Sequence, residues 1–455
     1  MARRKAEIDG ASMLRGMLVD RAALYGVATK VAQGAAGLIT AAFIVRYFSP
    51  AVQGFYYTFA TVLALQIFLE LGLSGVINIF AAHEWAKLSL DQDGAIRGDH
   101  NALGRLTSLT RHVFRWYLYG GLLLLVLLAF IGLWFFGTNQ DAEVVSWRYP
   151  WLAMCLLAAI TFFMTPAWAL LTGCGQLASL NAFRMVEIAV RYGVLWACVA
   201  SGASLWSVVV ATVVSSVAGL IFLVLRYRRF FGTLLEKGTA SDFNWRRDVA
   251  PLQTRYAIGW LGGYFAFSIF TPAMFHFHGA EEAGKLGMTW AIVSSLSGVA
   301  GTWLQVQAPK FAMMVARKEF RNLDRTAWRT TLIGALIFLA GSCVGLGLFL
   351  LLEVRRPEIA GRLTPVGPIV VFLVAGLLYQ VSAVQSTYLR SFKEEPFVGI
   401  SLVSGFVTGI GTILLTPSMG AYGPAVSYLM GMAIALLWGT SIFVRKRRIW
   451  TSPTP

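Results

Sequence analysis

The chain has 455 residues, of which 57% are hydrophobic and only 13% are charged, whereas about 25% of the residues in an ordinary soluble domain carry a charge. This composition excludes a typical soluble globular protein and indicates a membrane protein. The formal net charge of +16 does not indicate nucleic-acid binding, because the basic residues concentrate in every second loop.

Twelve apolar runs recur along the sequence, each near the roughly 20 residues that a helix needs to cross a hydrocarbon core. They lack the alternation of barrel strands, so we predict helices, which satisfy their own backbone hydrogen bonds in lipid. The predicted fold class is an all-α polytopic membrane protein with about 12 transmembrane helices. The predicted spans are 24–46, 54–80, 116–136, 149–172, 180–200, 204–226, 252–276, 284–306, 330–352, 364–387, 397–416 and 421–444.

The loops differ in basic charge. With both termini cytoplasmic, the inside segments hold 28 of the 38 Lys and Arg residues and the outside segments hold 6. This is the asymmetry of the positive-inside rule, and it predicts contact with anionic membrane lipids on the inner side. The outside loops are all short, which argues against an enzyme that works outside the membrane.

The spans divide into two halves around a basic segment. We predict a cytoplasmic N-terminal segment over 1–23, a first six-helix bundle over 24–226, a cytoplasmic linker over 227–251, a second six-helix bundle over 252–444 and a basic cytoplasmic tail over 445–455.

Two hairpins of the halves resemble each other. "FSPAVQGFYYT" begins at Phe48 and "HGAEEAGKLGM" begins at His278, and each places a glycine, Gly54 or Gly284, where the next helix opens. The likeness favours two parallel six-helix repeats around a central cavity, a transporter plan in which one half rocks on the other. The alternative is that any two short helical hairpins look alike.

Six charged residues fall within the predicted spans. Each would cost about 2.5–3.5 kcal/mol at a helix centre facing lipid, so we expect their side chains to face the bundle interior or a water-filled cavity. No catalytic, metal or nucleotide motif accompanies them, and we predict no cofactor. The six residues are Lys30, Glu70, Arg184, Glu187, Arg191 and Arg255.

Three of these charges, Arg184, Glu187 and Arg191, are spaced by three and four residues. At 100° per residue they lie within about 60° of one another, on one narrow stripe of the fifth span. One interpretation is a pairing network in which Glu187 bridges both arginines and holds helices together. The other is a binding site, because four cations against two carboxylates in the spans leave a net charge for an anion, and arginine suits phosphate.

The chain resembles polysaccharide-export flippases. The resemblance is carried by "RYFSPAVQGFYYTFATVLALQIFLELGL" from Arg46, "LLTGCGQLASLNAFRMVEIAVRYGVLW" from Leu170 and "STYLRSFKEEP" from Ser386, and it covers essentially the whole chain. It implies a Wzx-type translocase of the multidrug/oligosaccharidyl-lipid/polysaccharide flippase superfamily, multi-pass in the bacterial inner membrane. Such proteins flip an undecaprenyl-diphosphate-linked oligosaccharide for O-antigen or exopolysaccharide assembly, coupled to an H⁺ or Na⁺ gradient and alongside polysaccharide polymerase machinery.

Four basic residues are therefore predicted to bind the diphosphate and glycan. Glu70 and Glu187 are expected to pair with these cations or to take part in ion coupling. The first alternative is a multidrug or cation antiporter of the same superfamily. Such a protein carries cations, so its cavity would be expected to be more acidic or more apolar. The second is a membrane-embedded polysaccharide polymerase or ligase. The basic residues assigned to substrate binding are Lys30, Arg184, Arg191 and Arg255.

Overall fold

The computed structural model describes residues 29, 32–91, 93–139, 143–235, 245, 249–392 and 397–451. The first half of the chain forms one bundle of long helices. The first helix, α1, covers residues 32–47 of the described chain. It is followed by α2 (Pro50–Leu63), α3 (Ile67–Glu70), α4 (Leu73–Trp85), α5 (His100–Gly137), α6 (Arg148–Gly173), α7 (Leu177–Ala200) and α8 (Trp206–Leu235).

The second half forms another bundle. A break at Gly279, where φ is 84°, divides its longest helix, so that the part before the glycine continues the preceding helix and the part after it starts a new span. The helices are α9 (Ala250–Phe267), α10 (Phe270–Ala316), α11 (Phe320–Arg355), α12 (Pro357–Ala360), α13 (Val366–Arg390), α14 (Val398–Met419) and α15 (Tyr422–Thr451).

The protein is a multi-pass membrane protein. Within the described residues, eight helices are long and apolar enough to cross a membrane. The helix α7 is not one of these eight, because every window of 18 residues within it contains Arg184, Glu187 and Arg191. The charged stripe is therefore the feature that separates α7 from the apolar spans around it.

The structure departs from the sequence predictions at the ends of the spans. The helix α5 begins at His100, well before the predicted span at 116, and α8 runs beyond 226 to Leu235 with a kink at Tyr227. The helix α15 extends to Thr451, inside the predicted tail. Hydropathy locates the apolar part of a helix but not the polar turns that continue it into water. The predicted segment 1–23 lies outside the described residues.

The prediction of a purely helical chain missed a small antiparallel hairpin. Its strands, β1 (Leu88–Leu90) and β2 (Ile96–Gly98), pair Ser89 with Arg97. Each strand has three residues, which is too short for an alternating pattern to be recognised in the sequence. An ion pair of 2.6 Å between Arg97 and Asp91 lies beside the turn.

Candidate functional site

The charged stripe lies on α7, which follows a tight turn after α6. Gly175 takes a left-handed conformation in this turn, with φ of 74°, and this allows α7 to return antiparallel to α6. Val186 is 64% exposed and lies about 160° around the helix from Arg184 at 100° per residue. The exposed apolar face of α7 therefore points away from the charged stripe, as lipid contact requires.

Glu187 is held by two neighbours. Its carboxylate Oε1 lies 3.7 Å from Arg191 Nε, and it accepts a short hydrogen bond from the Ser215 hydroxyl of α8. The Arg191 guanidinium also lies 5.0 Å from the ring centre of Tyr192. Its Nε atom is buried and makes no hydrogen bond to a described residue. The ion pair thus leaves the Arg191 Nε–H without a hydrogen bond.

Arg184 lines a cavity of about 180 Å³ within the first bundle, between α6, α7 and α8. No carboxylate of the described residues forms an ion pair with Arg184, although Glu187 lines the same cavity. The predicted network in which Glu187 bridges both arginines is therefore only half present. The other residues that line the cavity are Thr161, Met164, Trp168, Phe183, Ser215, Ser216 and Gly219.

The remaining predicted site residues are not gathered at this cavity. Lys30 lies outside the described residues, and of Arg255 the structure gives only its place in α9. Glu70 lies at a break between α3 and α4, where its carboxylate Oε1 accepts the Ser74 backbone N–H at 3.2 Å. A carboxylate at the start of a helix stabilises the unpaired N–H groups there.

Sequence reasoning missed Ser215, which fixes the Glu187 carboxylate from α8. The pair Ser215 and Ser216 interrupts an apolar run, and such a pair is a weak sign of a polar contact. A serine in an apolar helix more often donates back to its own backbone, as Ser216 does to the Thr212 carbonyl at 2.8 Å. Only the packing of α8 on α7 distinguishes the two serines.

The two bundles meet at the glycines that open the second and eighth predicted spans. A Cβ on Gly54 would lie 1.8 Å from the Ala280 carbonyl oxygen, and one on Gly284 would lie 2.8 Å from the Gly54 nitrogen. Since real Cβ atoms do not approach other atoms so closely, only glycine allows these backbones to touch. We call this contact the Gly54–Gly284 junction; the topology predicted from basic charge places it at the outer face.

Buried hydrogen bonds tie the junction together. Gln53 is 1% exposed, and its Nε2 donates to the Gly284 carbonyl at 2.9 Å and to the Arg362 carbonyl at 3.0 Å. Arg362 Nη2 donates in turn to the Phe48 carbonyl at 2.7 Å. Burial lowers the pKa of the Arg362 guanidinium, and the Glu281 carboxylate opposes this shift. Each bond joins one bundle to the other.

Aromatic rings fill the space beside the junction. Phe275 of the second bundle lies 5.1 Å from Phe55 and 5.3 Å from Phe136 of the first bundle, measured between ring centres and in edge-to-face geometry. The Asn139 side-chain amide donates to the Phe275 carbonyl at 3.1 Å. The bundles are therefore closed against each other at this end by packed aromatic rings.

The chain folds like solved transporters. It is similar to a multidrug resistance MATE family transporter of the MOP superfamily in its inward-facing conformation, with a TM-score of 0.64 and 13% identity over 94% of this chain and 96% of that chain. The outward-facing conformation of such a transporter gives a TM-score of 0.54 at 13% identity, over 95% and 97%.

A MOP superfamily transporter from Pyrococcus furiosus, whose reversed pocket polarity is described as suggesting a different function, gives a TM-score of 0.55 at 14% identity over 94% and 95%. No protein-family model matches the chain, and no curated protein matches it. At these identities the likeness establishes the fold. The prediction of about twelve transmembrane helices in two bundles is confirmed.

Proposed function

We propose that the protein is a non-enzymatic transporter of the MOP superfamily that flips an undecaprenyl-diphosphate-linked oligosaccharide across the bacterial inner membrane. The observation that carries this proposal is the cavity of α7, which Arg184 lines without an ion-pair partner among the described residues. An unpaired arginine inside a membrane protein is costly. An anionic ligand that pairs with it would recover that cost.

The charges on this face of α7 favour an anion, although of these only Arg184 and Glu187 line the cavity itself. Arg184 and Arg191 face one carboxylate, that of Glu187, which is already bound to Arg191 and Ser215. A guanidinium presents a planar pair of N–H donors that fits two phosphate oxygens. A volume of about 180 Å³ suits a diphosphate group better than a whole oligosaccharide, because drug-sized ligands need about 300 Å³ or more.

The closed Gly54–Gly284 junction would correspond to one of the two states of an alternating-access cycle. Because the bundles are tied together at Gln53 and Arg362, a substrate would enter from the opposite, predicted inner side. Opening the other way would require these bonds to break while the bundles rock apart. We infer that an H⁺ or Na⁺ gradient drives the cycle and that polysaccharide polymerase machinery receives the product outside.

A multidrug or cation antiporter is the second candidate. It is favoured by the stacked rings of Trp168, Phe183 and Phe222, of which the first two line the cavity. Such rings attract flat organic cations. The surplus of positive charge on α7 opposes this alternative, and the two candidates differ in the effect of removing Arg184.

The experiment uses the purified full chain in proteoliposomes loaded with an undecaprenyl-diphosphate-linked oligosaccharide. The glycan that reaches the outside is detected with an added lectin. We expect Arg184→Ala to lower the translocation rate about tenfold to a hundredfold, since a charge-assisted hydrogen bond contributes about 1.5–3 kcal/mol. Arg184→Lys should retain part of the rate, because it keeps the charge but not the planar fork.

The matched control is Arg321→Ala, which removes an exposed arginine at the start of α11 and should leave the rate unchanged. Tetraphenylphosphonium serves as the cationic test substrate. Uptake of this cation that survives or rises in Arg184→Ala, with no glycan translocation by the unmodified chain, would refute the flippase and support the antiporter.

A further inference from the structure

A groove of about 810 Å³ runs along the surface of the second bundle between α13 and α15. On α15 it is lined by Leu437, Ser441, Val444 and Arg448, among others. These four residues are spaced by four, three and four positions, so they lie within about 60° of one another on one face of the helix. The groove follows this face to the end of α15 that is predicted to be cytoplasmic.

The two walls of the groove are joined by a side-chain hydrogen bond. The Gln385 amide of α13 donates through Nε2 to the Thr440 hydroxyl of α15 at 2.9 Å, and both residues line the groove. A polar contact between neighbouring helices inside a membrane fixes their spacing. The groove is therefore a feature of the packed bundle.

The lining changes from apolar to basic along α15. Leu437 is 73% exposed and Val444 is 40% exposed, and both present apolar surface. Arg445 and Arg448 follow and are also exposed. At 1.5 Å per residue, Leu437 lies about 12 Å from Arg445 along the helix axis, which is close to the depth of one leaflet of a hydrocarbon core about 30 Å thick. A phospholipid has the same order, with an acyl chain below its charged headgroup.

The arginines at the end of α15 have different surroundings. Arg447 pairs with Asp324 of α11, whose Oδ1 accepts from Arg447 Nε at 3.0 Å and from the Tyr388 hydroxyl at 2.9 Å. Arg445 and Arg448 form no ion pair within the described residues, and no acidic side chain lines their groove. Because residues three apart are neighbours on a helix, both guanidinium groups can reach one phosphate.

We propose that the groove between α13 and α15 binds one anionic phospholipid of the inner leaflet, such as phosphatidylglycerol. Its phosphate lies between Arg445 and Arg448, and one acyl chain follows Val444 and Leu437 toward the membrane centre. Basic pockets between membrane helices on the cytoplasmic side suit anionic headgroups. A zwitterionic lipid fits less well, because the groove offers two cations and no carboxylate for its amine. This binding does not depend on what the protein transports.

The test is native mass spectrometry of the purified full chain, stripped of lipid in detergent and titrated with phosphatidylglycerol or phosphatidylcholine of identical acyl chains. We expect tighter binding of phosphatidylglycerol. The double variant Arg445→Ala, Arg448→Ala should weaken that binding about tenfold to thirtyfold, since each basic residue near an anionic headgroup contributes a factor of about five. The control is Arg226→Ala, Arg228→Ala, which removes two exposed arginines near the end of α8, away from the groove. It should bind the lipid like the unmodified chain.

A further variant, Ser441→Trp, fills the groove and leaves its charge unchanged. Ser441 is exposed, and its hydroxyl donates only to the Trp438 carbonyl of its own helix. We expect several-fold weaker binding of phosphatidylglycerol, because the indole occupies the space of the acyl chain.

Four results would overturn the site. They are equal binding of phosphatidylcholine, equal losses in the α8 control and the α15 double variant, full binding by Ser441→Trp, and displacement of the lipid by an equal concentration of inorganic phosphate. The first three would mean a general attraction of lipid to the surface, and the fourth would mean that the arginines bind phosphate without the groove. Undecaprenyl diphosphate that displaces phosphatidylglycerol from the unmodified chain but does not bind the double variant would also overturn it, in favour of an entry site for a transported lipid.

Discussion

The Gly54–Gly284 junction and the charged face of α7 place polar groups in different surroundings: Gln53 of the junction is buried, whereas Arg184 of α7 is exposed. At the junction, the Gln53 side-chain amide donates two hydrogen bonds, and backbones touch where only glycine fits. On α7, Arg184 has no ion-pair partner among the described residues, and Arg191 keeps a buried Nε without a hydrogen bond. Each surface also keeps buried polar atoms without a hydrogen bond among the described residues, Gln53 Oε1 and Arg362 Nη1 at the junction and Arg191 Nε on α7. The two surfaces therefore differ in what their bonds join: those of the junction join the two bundles, whereas the Glu187–Arg191 ion pair lies within one helix.

This difference separates what the two regions contribute to transport. A contact in which backbones touch and hydrogen bonds cross between the bundles has little free space, so it either holds or opens as a unit. A cavity lined by one arginine without an ion-pair partner among the described residues would gain stability when an anion enters. Under the proposed function, the junction would carry the conformational change and α7 would bind the substrate. Changes at the junction should affect stability and the populations of states, and changes on α7 should affect transport alone.

The largest effect is expected from Gly54→Ala. The added Cβ would meet the Ala280 carbonyl oxygen at 1.8 Å, and backbone cannot move aside as a flexible side chain can. Overpacking of this kind costs about 1–3 kcal/mol, so we expect a lower unfolding temperature in detergent and a loss of glycan translocation. Gly298→Ala is the control, because a Cβ there meets nothing within 4 Å. Equal behaviour of the two variants would show that the junction is not tightly packed.

An intermediate effect is expected from Gln53→Ala, which removes two hydrogen bonds between the bundles without adding bulk. Each hydrogen bond contributes about 0.5–1.5 kcal/mol to holding the bundles together, so the bundles should separate more often at this end. Spin labels on Thr138 and Ser418, both exposed, report this as longer and broader distances in double electron–electron resonance.

The matched control for Gln53→Ala is Gln66→Ala, an exposed glutamine near the end of the same helical run. It should leave the label distances as they are. Unchanged distances in Gln53→Ala itself would mean that the hydrogen bonds do not hold the bundles together. The distinction between a conformational junction and a binding face would then lose its main support.

How far the sequence predicts these regions depends on the range of the interactions. Charges in an apolar run are rare and costly, so the stripe of Arg184, Glu187 and Arg191 was visible from spacing on one helix. The contact of Gly54 with Gly284 depends on how two bundles dock, which no local pattern contains. The hairpin likeness pointed to both glycines, and their meeting followed only from the fold.

The break in the second predicted span could not be predicted from the sequence either. Leucine is rarely left-handed, so Leu71, whose φ is 47°, gave no sign of a turn, and residues 54–80 were predicted as one continuous span. Glu70 was correctly placed among the charged residues of the spans. Its setting at a helix end, beside the buried Tyr117 hydroxyl, required the packing of α5 against the break.

The smallest effect is expected from Ser215→Ala, and it tests whether the α7 face depends on the orientation of a single carboxylate. The Ser215 hydroxyl donates to Glu187, and its loss should cost about 1 kcal/mol and slow glycan translocation about fivefold while the unfolding temperature stays constant. Ser216→Ala is a close control, because that serine lines the same cavity but donates to the Thr212 carbonyl of its own helix. If both variants slow transport equally, the polarity of the cavity matters and the orientation of Glu187 does not.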